Sequence, residues 1–388
     1  MTRTTTGRGR VMAAALMGLV ALAVAPLVAA GWKWQGTRGP GAVELLIIGD
    51  VQIHTRRADP STALSRMRDT LKAADLVYAN LEGLLVPSVG TKVDIPDKPE
   101  WTHPGPAGAA VLKASNLHVV GVANNVASGR ANILKSLAVL DAQGIAHVGA
   151  GRNLAEAHRP AIVERKGVRI GFLQYTARWY RDADMIATAS EPGVARLSSK
   201  DGITIDPEDV AHIKADIAAL RPTVDIVVVS HHNRDGSTPV QFGGARGTSP
   251  VKGREHSEPY QQTFARMAID LGADLVFGHG THTIQGVEVY KGRPILYAIG
   301  HSNFDQPGYE KATDGLVVRV VIDGKRIVRT SFVPVTKDAA NDVYMLDPTT
   351  GEGARLVQAV TERSPAPPSL RVDGQEVVLM DRPVESRR

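Results

Sequence analysis

The sequence predicts an α/β fold in which two mixed sheets pack between helices. At the start of the folded region, the apolar strand Val43–Ile48 is followed by helical spacing in residues 61–73 and by a second strand, Asp75–Ala79. Later strands are joined by the short turns Lys166-Gly167 and Asp323-Gly324-Lys325, which are typical of antiparallel hairpins. A βαβ beginning followed by hairpins predicts sheets that are parallel in one part and antiparallel in another.

The same patterns place the remaining elements along the chain. The further predicted strands are Leu117–Ala123, Ile145–Val148, Ala161–Arg165, Val168–Gln174, Asp225–Ser230, Asp274–Val276, Gly286–Tyr290, Pro294–Ile299, Leu316–Ile322 and Arg326–Val335. The predicted helices are Ala107–Ser115, Ile133–Gln143, Asn153–His158, Pro207–Leu220 and Pro259–Leu271. Residues 176–206 show no regular pattern. The glycine-rich stretch 233–255 is a long loop, which in a compact domain is usually a lid, a binding segment or disordered.

The N-terminal thirty residues predict export. Basic residues up to Arg10 precede an apolar run, Val11–Ala30, with small residues at Val28 and Ala30 that suit a signal peptidase. The run is also long enough to stay as a membrane anchor, and both alternatives place the residues after Gly31 outside the cytoplasm. We therefore predict a leader or anchor at 1–30, a linker at 31–42, the main domain at 43–337 and a less ordered C-terminal extension at 338–388.

Composition excludes several kinds of function. The chain has no cysteine, which excludes disulfides, thiolate zinc sites and cysteine nucleophiles. The formal net charge is +5, and the leader residues Arg3, Arg8 and Arg10 contribute three of these charges, so the remainder does not indicate a nucleic-acid-binding protein. Any metal site must therefore use nitrogen and oxygen ligands.

Side chains able to bind a metal ion follow the ends of five predicted strands. These segments are Gly49-Asp50, Asn80-Leu81-Glu82, Asn124-Asn125, Ser230-His231-His232 and Gly278-His279-Gly280-Thr281-His282. Strand ends are where α/β sheets place their sites, so the five segments predict one shared site. Carboxylate, amide and imidazole ligands suit a divalent ion such as Mn, Mg, Ca, Zn or Fe. The alternative is that Asp50 and Glu82 cap helices and that one histidine is structural.

The order of these segments resembles the CapA family of capsule and poly-γ-glutamate synthesis proteins, in the calcineurin-like metallophosphoesterase superfamily. The resemblance runs from about Val43 to Asp305, and it also rests on Gly149-Ala150-Gly151, Gly272–Val276 and Tyr297–Gly300 with Asn303-Phe304. It implies a four-layer α/β/β/α sandwich. It implies metal ligands at Asp50, Gln52, Glu82 (as the bridging carboxylate), Asn125, His231, His279 and His282.

The chain departs from the family pattern at three positions. Val126 stands where the family's Asn-Asn-His motif has the histidine that would protonate a phosphoester leaving group. Gln52 replaces the histidine of the superfamily's Asp-x-His motif, and Gly280 replaces the second position of Gly-His-His-Pro-His. Because a carboxamide binds zinc or iron more weakly than imidazole does, we expect a weak metal position around Asp50 and Gln52. The better position is expected around Asn125, His231 and His279.

The candidates to replace the missing acid are His54 and His232, with His301 as a further option. General acid catalysis contributes roughly 10²–10⁴-fold, so efficient phosphoester hydrolysis is not expected without such a replacement. The resemblance implies an exported, metal-binding, hydrolase-like protein acting on poly-γ-glutamate or another anionic envelope polymer or its precursors. One alternative is a non-catalytic assembly or export factor that works with membrane-bound polymer synthesis machinery. Another is a metal-dependent phosphoesterase or peptide-modifying enzyme.

Overall fold

The computed structural model describes residues 1–2, 34, 39, 41–53, 59–86, 103–127, 129–177, 185–199, 201–233, 255–305 and 314–382. Its helices are α1 (Arg68–Ala73), α2 (Gly105–Ala114), α3 (Arg130–Ala142), α4 (Leu154–Ala157), α5 (Pro207–Leu220), α6 (Pro259–Asp270) and α7 (Gly351–Glu362), with 3₁₀ turns at Pro60–Thr62 and Arg221–Thr223. Its strands are β1 (Val43–Gln52), β2 (Leu76–Leu81), β3 (Leu85–Val86), β4 (His103–Pro104), β5 (Val119–Gly121), β6 (Ala146–Val148), β7 (Ala150–Gly151), β8 (Ala161–Arg165), β9 (Val168–Thr176), β10 (Gly193–Val194), β11 (Ile226–His232), β12 (Leu275–His279), β13 (Val287–Tyr290), β14 (Arg293–Leu296), β15 (His301–Phe304), β16 (Gly315–Asp323), β17 (Arg326–Lys337), β18 (Val343–Met345), β19 (Arg371–Asp373) and β20 (Glu376–Asp381).

Two large mixed sheets contain most of these strands. The first has the order β19-β20-β17-β16-β1-β2-β5-β6, with β15 also paired to β1 and β18 to β17. Its β1, β2, β5 and β6 are parallel, whereas β16, β17 and β20 pair antiparallel. The second has the order β13-β14-β12-β11-β9-β8, parallel in the centre and closed by an antiparallel hairpin at each edge. The predicted combination of βαβ units and hairpins is confirmed.

The apolar side chains form three core layers between four layers of secondary structure. Leu45 of β1 and Phe172 of β9 belong to the core between the two sheets. Leu46, the next residue along β1, belongs to the core between the first sheet and helices α1 to α3. Val229 of β11 belongs with Phe264 of α6 to the core on the outer side of the second sheet. Neighbouring strand residues point to opposite faces, so both faces of each sheet are covered, and the α/β/β/α sandwich is confirmed.

The C-terminal segment is more regular than the sequence analysis expected. Helix α7 and strands β18 to β20 all lie beyond Lys337, and β20 pairs antiparallel with β17 of the first sheet. Leu356 and Val360 of α7 are buried in the core between the sheets. The turn after Asp373 contains Gly374 with a φ of +62°, and it joins β19 to β20 as an antiparallel hairpin.

Several predicted features lie outside the described residues. They include the apolar run of the leader, His54 and most of the glycine-rich stretch 233–255. In the described ranges, no helix combines the length and the apolar character needed to cross a membrane. Within the region 176–206, which was predicted to be irregular, β10 pairs with β7.

Candidate functional site

Polar side chains from both sheets converge where β1, β2, β11 and β12 end. Asp50, His232 and His279 each offer an atom that lies within 4.8 Å of those of the other two, and we call them the His279 group. Asp50, His282 and His301 meet the same criterion and form the His301 group. All five side chains are buried. Asp50 is the carboxylate that both groups share.

The His279 group is joined by short contacts across the two sheets. Nδ1 of His279 lies 3.0 Å from Nδ1 of His232 and 3.5 Å from Oδ1 of Asp50. Nε2 of His232 donates a hydrogen bond of 2.6 Å to the side-chain oxygen of Asn125. Burial lowers the pKa of His279 well below its usual value of 6.5, and the neighbouring His232 and His231 lower it further. The ring of His279 is therefore neutral at physiological pH, which is the state in which imidazole binds metal ions.

Gly280 is required for this arrangement. Its backbone has a φ of +88°, and a Cβ atom at this position would lie 2.6 Å from the ring of His232. A side chain here would therefore displace that imidazole. Its backbone N–H donates to Oδ2 of Asp50 at 3.1 Å. The departure from the family motif at this position thus has a physical reason in this chain.

The His301 group lies beside the second carboxylate of the site. Nδ1 of His282 lies 2.7 Å from Nε2 of His301, and Nε2 of His282 lies 3.8 Å from Oε1 of Glu82. His282 has a φ of +59°, a left-handed conformation that is uncommon for residues other than glycine and concentrates at functional sites. Glu82 is fully buried, but it is Asp50 that the two groups share. The bridging role that the resemblance implies for Glu82 stays a prediction.

Gln174 orients the site from inside the second sheet. The backbone N–H of Ala123 donates to its side-chain oxygen at 2.8 Å, which identifies the other side-chain atom as the amide nitrogen. That nitrogen donates to Oδ1 of Asn80 and to Nε2 of His279, both at 2.9 Å. Asn80 in turn donates to Asp50 at 2.8 Å. Sequence reasoning missed Gln174 because it lies within a strand; its signal is a single amide in the apolar run of β9.

The two adjacent histidines of β11 lie on opposite faces of the second sheet. His231 was predicted as a ligand because it lies next to the predicted strand end at Ser230. In the structure it contacts Phe264 of α6, with ring centroids 5.0 Å apart. It faces the outer core, where burial lowers its pKa to about 3. His232, predicted as a candidate acid, lies in the His279 group instead. Successive residues of a strand point to opposite faces, so only one of the pair faces Asp50.

The remaining predicted residues occupy supporting places. Gln52 is 2% exposed, and its side-chain oxygen has no hydrogen-bond partner among the described residues. Val126 belongs to the core between the first sheet and its helices, so position 126 is an apolar packing position in this chain. Asn124 accepts from the backbone N–H of Val126 at 3.3 Å and donates to the carbonyl of Leu81, as expected for a turn-forming residue. His54, the other candidate acid, lies outside the described residues.

The donor set fits a divalent cation. Within each group one buried carboxylate lies with two imidazoles, and Asn125 adds an amide oxygen next to His232. Carboxylate oxygens and neutral imidazole nitrogens are the ligands of hard to borderline divalent ions.

Comparisons with known proteins agree with the resemblance. The sequence matches the family described as "Bacterial capsule synthesis protein PGA_cap" over residues 44–306. The PGA biosynthesis protein CapA of Bacillus subtilis (strain 168) is 27% identical over 267 residues, covering 68% of this chain and 62% of that protein. A probable polyglutamine synthesis accessory protein of Mycobacterium tuberculosis (strain ATCC 25618 / H37Rv) is 30% identical over 254 residues, covering 63% of this chain and 59% of that protein. An uncharacterized protein of Sinorhizobium fredii (strain NBRC 101917 / NGR234) is 26% identical over 311 residues, covering 67% of this chain and 66% of that protein.

The aligned regions span between 59% and 66% of the length of these three relatives. The family match includes every residue of the His279 and His301 groups, from Asp50 to His301. Since this match extends over more than half of the chain, and the observed sandwich is the fold that the resemblance implied, the chain belongs to the bacterial capsule synthesis protein family PGA_cap.

Proposed function

We propose that this protein is an exported, metal-dependent, hydrolase-like protein that takes part in synthesis or processing of an anionic envelope polymer such as poly-γ-glutamate. The observation that carries the proposal is the buried carboxylate of Asp50, which is shared by two pairs of imidazoles. Family membership supports the link to capsule synthesis. The leader sequence supports export, because basic residues precede a long apolar run.

Residues of the chain itself would hold and orient a cation. Asp50, His232 and His279 would bind it, and Asp50 with His282 would contribute to a second position. Asn80 and Gln174 restrain two of these ligands through direct hydrogen bonds, which is the kind of support that fixes ligand orientation in metal sites. A divalent cation bound here supplies Lewis-acid chemistry, by polarising a carbonyl or phosphoryl oxygen of the substrate.

The names of two relatives and the chemistry of the site support the proposed substrate class. One relative is described by its name as a PGA biosynthesis protein and another as a polyglutamine synthesis accessory protein. A polymer rich in carboxylate or carbonyl groups offers oxygen atoms that a divalent cation can bind. We therefore propose the anionic polymer or its precursors as the substrate, and membrane-bound polymer synthesis machinery as the partner.

A second candidate function is a non-catalytic assembly or export factor that keeps the metal site. Two observations favour it. The position of the missing acid, Val126, is buried in an apolar core. In addition, both ring nitrogens of His232 are engaged, one with Asn125 and the other with His279, so this residue is not oriented toward a leaving group.

The test is the metal content of the full-length protein purified in detergent, measured by elemental analysis. We expect bound metal in the wild type and a loss in His279→Ala. The matched control is His231→Ala, which removes an equally buried histidine from the opposite face of the same sheet and should keep the metal. Wild-type protein without bound metal would contradict the metal-dependent function.

Turnover separates the two candidate functions. The substrates are poly-γ-glutamate and a generic phosphodiester, incubated with the metal-loaded wild type and with His279→Ala. Hydrolysis that disappears in His279→Ala supports the hydrolase. Bound metal without hydrolysis of either substrate supports the assembly factor instead.

A further inference from the structure

We infer that His301 is a metal ligand, which supplies the imidazole that Gln52 does not supply beside Asp50. This inference rests on the metal binding in the proposed function and adds a named ligand to it. It also reverses the expectation that the position around Asp50 and Gln52 is weak. Three observations support it, from the backbone, from the side chains and from the ligand chemistry.

A bulge in the backbone brings His301 next to Asp50. Strand β15 runs parallel to β1, with Asp50 opposite His301 and Val51 opposite Asn303. The register shift between these two pairs leaves Ser302 as an extra residue in β15. The hydroxyl of Ser302 accepts a hydrogen bond of 2.9 Å from the backbone N–H of Gly49. The bulge is therefore anchored to the residue immediately before Asp50, and bulges of this kind redirect side chains at functional sites.

The side chain of His301 is held in place and directed into the site. It is 2% exposed, and its ring stacks on Phe304 with centroids 4.4 Å apart and planes inclined by 10°. Its Nε2 lies 2.7 Å from Nδ1 of His282. One oxygen of Asp50 lies within 4.8 Å of the ligand atoms of both histidines. A ring fixed by stacking and aimed at a second imidazole and a carboxylate is preorganised for a common ion.

The ligand chemistry distinguishes His301 from Gln52. Gln52 is fixed through its backbone carbonyl, which accepts from the side chain of Asn303 at 2.9 Å and from the N–H of Asp305 at 3.2 Å. Its carboxamide is a poorer ligand than imidazole for borderline ions. Two imidazoles and one carboxylate therefore favour a transition ion such as Zn²⁺ or Fe²⁺ over Mg²⁺ and Ca²⁺ at the His301 group.

The alternative is that His282 and His301 form only a buried imidazole hydrogen bond. In that case His301 would support the loop but would not touch an ion. Substitution of His301 by glutamine keeps a polar side chain of similar length, so it tests the ligand role with little change in packing. Because even the loss of a hydrogen-bond partner of a ligand typically weakens metal binding about 10–100-fold, the loss of a ligand should weaken it at least tenfold.

The first experiment titrates Co²⁺ into the full-length protein in detergent, followed by calorimetry and by visible absorption. We expect two equivalents in the wild type, one of which binds at least about tenfold more weakly in His301→Gln. His118→Gln is the matched control, because it makes the same substitution at a histidine outside both groups, where Nδ1 accepts a hydrogen bond from the backbone N–H of Val77; it should keep both equivalents. Unchanged binding in His301→Gln would overturn the ligand role of His301 and leave the proposed function standing. A wild type that binds no Co²⁺ would overturn both.

The second experiment looks for a new absorption band instead of weaker Co²⁺ binding. A destabilised variant could lose Co²⁺ binding without losing a ligand, but it would not gain this band. The chain has no cysteine, so His301→Cys introduces its only thiol. Thiolate is a strong ligand for borderline and soft ions, and direct contact with Co²⁺ gives a near-ultraviolet thiolate-to-cobalt charge-transfer band. We expect this band in His301→Cys and not in His118→Cys, where the thiol lies outside both groups. A folded His301→Cys protein that binds Co²⁺ without the band would overturn the inference.

Discussion

The tight contact between Gly280 and the ring of His232 makes Gly280→Ala a sensitive test of the proposed site. The backbone at this position has a φ of +88°, and the added methyl group would lie 2.6 Å from Nε2 of His232. Non-bonded carbon and nitrogen atoms essentially never approach each other this closely, so something must move. The imidazole would therefore have to move away from Asn125 and His279, with which it now makes contacts of 2.6 and 3.0 Å.

The expected loss of stability has two parts. Replacing glycine by alanine in the left-handed conformation lowers the stability of the folded state by about 1–2 kcal/mol. Overpacking against a buried ring costs about a further 1–3 kcal/mol. We therefore expect the free energy of unfolding to fall by about 2–5 kcal/mol, and Co²⁺ affinity at the His279 group to fall as the ring leaves Asp50.

The matched control is Gly167→Ala, in the turn between β8 and β9. Gly167 has a similar φ of +77°, but no atom lies within 4 Å of a Cβ built there. This variant should show only the backbone cost of about 1–2 kcal/mol and unchanged Co²⁺ affinity. Urea unfolding and Co²⁺ titration of both variants measure the difference. Equal losses of stability together with unchanged cobalt affinity in Gly280→Ala would refute the reasoning.

Three further predictions concern residues around and away from the site. Gln174→Leu should weaken Co²⁺ binding about 10–100-fold, because it removes the amide that orients two neighbours of the cation, and calorimetry measures this. Arg319→Ala should lower the free energy of unfolding in urea by about 3–5 kcal/mol, since it removes the guanidinium 2.7 Å from the buried carboxylate of Glu44, whereas Glu376 keeps Arg329 at 2.7 Å; a loss below about 1 kcal/mol would contradict this. Burial, together with the positive charges of Arg165 and Lys113, lowers the pKa of His118 to about 4. Between pH 6.5 and 4 the unfolded chain therefore binds more protons than the folded chain, and the free energy of unfolding falls as the pH drops through this window. Thermal unfolding of His118→Gln should depend less on pH in that window, and an unchanged slope would refute the assignment.

Much of the fold could be predicted from the sequence because its signals are local. The nearly unbroken apolar run of β1 predicts a strand covered on both faces, and each residue of this strand is buried. The turns at Lys166-Gly167 and Asp323-Gly324-Lys325 predicted two hairpins that the structure contains. Polar segments at strand ends predicted where the candidate site lies, because parallel strands place their carboxyl ends at one edge. The family motifs then identified Asp50, His279 and His282 by their position in the chain.

Tertiary structure alone decided which side chains meet. The choice between His231 and His232 depends on the register of β11. Successive residues of a strand point to opposite faces, so a shift of one residue would turn the other histidine toward Asp50. Gln174 and His301 reach the site from the interior of β9 and from a bulge in β15, and neither place belongs to the strand-end segments that the sequence marks. The shared role of Asp50 arises because its two oxygens lie between side chains from both sheets. These are contacts between residues up to 251 positions apart, the separation of Asp50 from His301, and no local pattern encodes such a distance.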